Sequence, residues 1–130
     1  MAKVLGLGGL FFKSADSDAI REWYGRVLGF EKTQWGGTVF LPAPLAAQPG
    51  AATVFNIMSD TSDYIAPSTE RFMFNLVVDD LAGILARAKE HGVEPIKTFP
   101  DEGMGTFAHI LDPEGRKIEL WEPKPMQKAE

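Results

Sequence analysis

The chain has 130 residues, 45% of them hydrophobic and 24% charged, which is enough apolar material for one core and argues against a disordered chain. A formal net charge of −5, with the 13 Lys and Arg residues scattered along the chain, sets aside nucleic acid and anionic membrane as partners, and no apolar run reaches the roughly 20 residues of a membrane-spanning helix. With no Cys there is no disulfide, thiolate nucleophile or thiolate metal site, which is compatible with a cytoplasmic protein.

In chain order, Leu5 to Ser14 alternates as a strand, and its three glycines make Lys3 and the apolar run after it a poor signal peptide. Asp16 then caps a helix whose apolar positions Ile20, Trp23, Tyr24, Val27 and Leu28 fall on one face, with Glu22 and Arg26 an exposed i,i+4 pair and Gly29 the stop. Short strands are expected at Lys32 to Trp35, Thr38 to Leu41 and Thr53 to Met58, interrupted by a Pro/Ala loop from Pro42 to Ala52. Ser59 to Arg71 is a linker.

The plan then repeats. Phe72 to Val78 reads as a strand, Asp79 or Asp80 as a cap, Leu81, Ile84, Leu85 and Ala88 as a buried helical face, and Gly92 as the stop. Strands follow at Glu94 to Phe99, Thr106 to Leu111 and Lys117 to Trp121, the last two joined by Asp112-Pro113-Glu114-Gly115, whose Pro and Gly positions suit a type I turn. Pro123 to Glu130 reads as a solvated tail. Asp16 and Asp80 lie 64 positions apart and Gly29 and Gly92 lie 63 apart, so two landmarks agree on a duplication. The expected architecture is α+β, with paired βαβββ units, residues 4–58 and 71–123, forming a cupped, mostly antiparallel sheet within one domain spanning residues 1–130.

Familiar catalytic patterns are missing. Gly6-Leu7-Gly8-Gly9 lacks the third glycine of a dinucleotide loop because Phe11 stands there, and neither a Gly-Lys-Ser/Thr phosphate loop nor a Gly-x-Ser-x-Gly elbow occurs. His91 reads as a solvated residue at a helix C-terminus, whereas His109, in the middle of a strand, is the plausible titrating group near neutral pH.

Ala19 to Phe30 (AIREWYGRVLGF) and Ile110 to Pro123 (ILDPEGRKIELWEP) together resemble the vicinal oxygen chelate superfamily, the glyoxalase I, bleomycin-resistance and extradiol-dioxygenase group, over roughly Val4 to Pro123. The resemblance implies paired βαβββ units, a homodimer, and a divalent metal held by His or Glu side chains facing the cup. The corresponding positions are Gly9 and Met73, each seven before a capping aspartate, together with Glu119 and its repeat partner Asn56. Only Glu119 is an anionic ligand, so no metal and no cofactor is expected.

Strand alternation supplies the cup lining instead: Phe11, Met73 and Trp121 as apolar walls, Lys13, Asn75 and Glu119 as polar anchors, and Trp35 as a roof. With Asn56 these are the candidate ligand-binding residues, and Glu119 and His109 are the candidates for any catalytic role. The expected function is metal-independent binding of a small organic molecule. Its competitors are a metal-dependent lyase, isomerase or dioxygenase, and a structural domain with a filled cup.

Overall fold

A computed structural model of the chain describes residues 1–125; the end of the expected tail, residues 126–130, lies outside the described residues. The elements in order are α1 (Ser17–Leu28), α2 (Pro42–Ala47), β1 (Phe74–Val77), α3 (Leu81–Glu90), β2 (Lys97–Phe99), β3 (Gly105–Leu111) and β4 (Lys117–Pro123). The four strands form one open sheet in the order β1-β4-β3-β2, with β1 parallel to β4 and the other two pairings antiparallel. The protein is therefore α+β with a mostly antiparallel sheet.

The helices start and stop where their sequence directs. The Asp16 carboxylate accepts from the Ala19 amide at 3.2 Å, and Asp80 accepts from Gly83 at 3.0 Å, the same three-residue reach at both N-termini. Gly29 closes α1 in the left-handed conformation, its amide donating to the Gly25 carbonyl and the Phe30 amide to that of Tyr24. The first amide of α3 is also held from outside, because the Glu122 carboxylate of β4 accepts from Leu81 N at 2.8 Å. Helix α3 is thereby tied to the central strand.

One face of the sheet carries the core. Ala108, Ile110, Ile118 and Leu120 point toward α1 and α3 and are fully buried, together with Val27 and Ala88 from the helices. Alternation does the sorting: Ile118 and Leu120 go inward, so Lys117, Glu119 and Trp121 lie on the opposite face.

The first repeat differs from the sequence expectation. Leu5 to Ser14, Lys32 to Trp35, Thr38 to Leu41 and Thr53 to Met58 lie outside every strand ladder among the described residues, and Pro42–Ala47 is a short helix rather than loop, begun by a proline at its first position. The strand reading failed because alternation specifies which side chains share a face, whereas a ladder also needs a neighbour for its amides and carbonyls. Among the described residues these segments have no strand beside them. Their apolar side chains stand in solvent: Phe11 is 90% exposed, Val54 71%, Phe55 80% and Ile57 81%.

The N-terminal segment is nevertheless anchored at its end. Arg116 lies with its guanidinium 4.0 Å from the Phe12 ring centre and donates to the Lys13 carbonyl, while Ser14 Oγ donates to Glu114. Arg116 also pairs with Asp112 at 3.0 Å, and Asp112 accepts from the Tyr24 hydroxyl of α1 at 2.8 Å. Burial, with the Asp112 carboxylate close by, pushes the Tyr24 phenol far above its ordinary value, so it stays a neutral donor. The turn between β3 and β4 is thus the clasp that fixes α1 and the incoming chain.

Removing Arg116 strands the fully buried Asp112 carboxylate, so Arg116→Ala is expected to cost about 3–5 kcal/mol in urea denaturation. Tyr24→Phe, which leaves the ion pair intact, should cost only about 1–2 kcal/mol.

Candidate functional site

The sheet face away from the helices is organised in rows set by strand register. Asn75 of β1, Glu119 of β4, His109 of β3 and Lys97 of β2 are successive partners across the four strands. One pleat along, Val77, Trp121, Phe107 and Phe99 form an apolar row by the same pairing. A polar row beside an aromatic row is the chemical character of this surface.

Glu119 is the centre of the polar row. Asn75 Nδ2 donates to one carboxylate oxygen at 2.8 Å, His109 Nε2 lies 2.8 Å from the other, and the Tyr64 hydroxyl donates to that second oxygen as well. Burial pushes the Glu119 carboxyl upward, but these hydrogen bonds and the adjacent imidazole outweigh it and hold the group below its ordinary value. Burial and the bond to Glu119 raise the Tyr64 phenol, keeping it protonated. His109 is fully buried, its ring edge-on to Tyr64 and Phe99 at 5.1 and 5.0 Å, and its Nδ1 has no hydrogen-bond partner among the described residues.

Tyr64 comes from the linker between the repeats, which crosses the sheet as a strap. Lys117 grips that strap from below, its ammonium donating to the carbonyls of Tyr64 at 2.6 Å and Ala66 at 2.8 Å. Burial lowers the Lys117 pKa, reinforced by Lys97 and offset by Glu119 and Asp63. Between the strap and the far end of the sheet lies an open cavity of about 430 Å³, walled by Tyr64, Phe99, Phe107 and Met104, with Glu119 at its floor and Glu102 at its edge. Its size is within the ordinary range for small-molecule sites.

The loop after β2 forms the remaining wall and is pinned at several points. Asp101 accepts from the amides of Gly103 and Gly105 and pairs with Lys124 at 2.6 Å; the Trp121 indole donates to the Met104 carbonyl at 2.7 Å. Gly105 sits at φ +104° against the Glu122 carbonyl, where any Cβ would collide. The Phe107 and Trp121 rings stack 5.7 Å apart and nearly parallel beneath this loop.

Of the residues expected at the site, Asn75, Glu119, His109 and Trp121 are brought together on this face. Met73 is partly buried just before β1. Phe11 and Trp35 are 90% and 71% exposed and do not line the cavity. Exposed Lys13 offers its carbonyl to Arg116, and exposed Asn56 folds its own side chain onto the Ile57 amide. Sequence reasoning missed Tyr64, Phe99, Phe107, Met104 and Glu102. Phe107 was accessible as the residue two before His109 on one strand, but Tyr64 lies in a linker with no periodicity to mark it.

A divalent metal does not fit this donor set. Glu119 already accepts three hydrogen bonds, His109 is the one imidazole beside it, and among the described residues no three His, Cys, Asp or Glu side chains converge.

A family model described as Glyoxalase/Bleomycin resistance protein/Dioxygenase superfamily matches residues 11–120 of the chain. A similar solved structure is that of a glyoxalase / bleomycin resistance protein from Catenulispora acidiphila DSM 44928, 33% identical over 38% of this chain and 46% of that one, with a TM-score of 0.35. The matched region thus spans under half of that relative's length. No curated protein matches the chain.

Because the folded state holds Glu119 below its ordinary 4.5, ionised Glu119 adds stability that is fully present above that value and is lost as pH falls through the lower folded one. Urea denaturation of wild type and Glu119→Gln should show a constant gap in favour of wild type from neutral pH down to the ordinary carboxylate range, closing below it. A gap unchanged in acid would mean that Asn75, Tyr64 and His109 do not favour the ionised form.

Proposed function

This chain belongs to the Glyoxalase/Bleomycin resistance protein/Dioxygenase superfamily, and we propose that within it the protein is a metal-independent small-molecule binding protein that holds an organic ligand on the aromatic and polar face of its sheet. The observation that carries this reading is the state of Glu119. The side chain at the position where the family resemblance implies a metal ligand is instead saturated by Asn75, His109 and Tyr64. Such a carboxylate suits orienting a ligand in a fixed field better than coordinating an ion. Glu119 and His109 are accordingly assigned to ligand positioning.

We also propose that the protein acts as a homodimer. Val54 and Phe55 are neighbours in a segment outside every helix and strand, yet both are exposed, at 71% and 80%, and Ile57 at 81% continues the pattern. An exposed apolar segment that joins no strand ladder among the described residues seeks a sheet edge and a second apolar surface. Another copy of this chain supplies both, and residues such as Phe11, Trp35 and Asn56 would then meet a cup across the interface.

Tag-free protein dialysed against metal-free buffer is expected to contain only substoichiometric zinc, nickel, iron and manganese by mass spectrometry, and its ligand affinity should not respond to a chelator. One metal per chain would overturn the metal-independent reading. Sedimentation velocity should report a dimer, and Phe55→Glu combined with Ile57→Glu should shift it to monomer; a wild-type monomer at high concentration would sink the dimer.

A further inference from the structure

The cavity on the sheet face is one-sided in its charge. Two carboxylates border it, Glu119 and Glu102, and none of its lining side chains is basic. Three of its walls are the rings of Tyr64, Phe99 and Phe107, whose faces carry negative potential. The nearest lysines are already held: Lys97 lies 4.9 Å from the ring centre of Phe99, itself a cavity wall, and Lys117 is held by the strap carbonyls. That Lys97 itself rests on Phe99 illustrates what these rings attract.

Glu119 has three donors, but they are not equivalent. Asn75 and His109 belong to neighbouring strands and are fixed by register; Tyr64 alone reaches in from the strap. Its backbone is clamped by Lys117, while the residue is 37% exposed and its side chain can turn outward without unpairing a strand, giving up its ring contacts with His109 and Lys117. The Tyr64 hydroxyl therefore sits on Glu119 as a removable donor. Building on the binding reading above, we propose that the cup takes a protonated organic amine carrying an aromatic body, and that its ammonium replaces the Tyr64 hydroxyl on Glu119 while its ring lies against Phe99 and Phe107. The exchange conserves the hydrogen-bond count at Glu119 and adds a countercharge to a partly desolvated carboxylate held in its ionised form.

The test compares a charge series on the wild-type protein at neutral pH by calorimetry or by chemical-shift titration: benzylamine and tryptamine as cations, benzyl alcohol as the neutral isostere and benzoate as the anion. The cations are expected to bind at least about tenfold more tightly than benzyl alcohol, with benzoate weakest. Glu119→Gln should abolish that preference, the exposed Glu102→Gln should reduce it, and Tyr64→Phe, which removes the resident donor, should tighten amine binding. Benzyl alcohol or benzoate binding as well as the amines would overturn the amine proposal and leave the binding reading standing. No binding by any of the probes, charged or neutral, would count against both.

Discussion

The candidate site depends on the pleat of β4. It is an interior strand, hydrogen-bonded to β1 on one side and β3 on the other, so neither its register nor its facing is free to slip. Ile118 and Leu120 are fully buried toward the helices, and that alone forces Lys117, Glu119 and Trp121 onto the opposite face. A slip of one residue would bury Glu119 among the aliphatic side chains and expose the core. The hydrophobic requirement on one side thus fixes the position of the carboxylate on the other.

The same strand organises its surroundings through each outward side chain. Lys117 holds the strap, Glu119 collects donors from three directions, and Trp121 fixes the loop beyond β2. Asp101, Lys124 and Trp121 make that loop a fixed wall despite its glycines. Adaptability is left to Tyr64, whose contact with Glu119 is a side-chain contact on a clamped backbone. A site with one exchangeable donor among fixed ones can admit a ligand without loosening the sheet.

The two halves of the chain have unequal standing. The second repeat forms its strands with neighbours supplied by its own sequence, whereas the first contributes α1 to the core and its expected strands stay outside the sheet, with many of their apolar side chains exposed. The Arg116, Asp112 and Tyr24 clasp is the covalently distant contact that keeps α1 and the preceding chain in place. Burial of that ion pair is tolerable because each oxygen of Asp112 is used, one by Tyr24 and Arg116 and the other by the Glu114 and Arg116 amides.

The sequence by itself determined both long helices, their aspartate caps, their buried faces and the turn between β3 and β4, because these depend on interactions within a few residues. It also determined that Lys117, Glu119 and Trp121 share a face, since alternation is local. It left His109 unassigned, because only the antiparallel register that sets it opposite Glu119 decides what its ring touches. It gave no sign of Tyr64, 55 residues from its partner in a linker without periodicity. It overstated the first repeat's strands, since a strand is completed by a neighbour and local pattern cannot say whether one is present. What tertiary structure decided was pairing, because hydrogen bonds between strands and from linker to strand join residues whose separation along the chain carries no local signal.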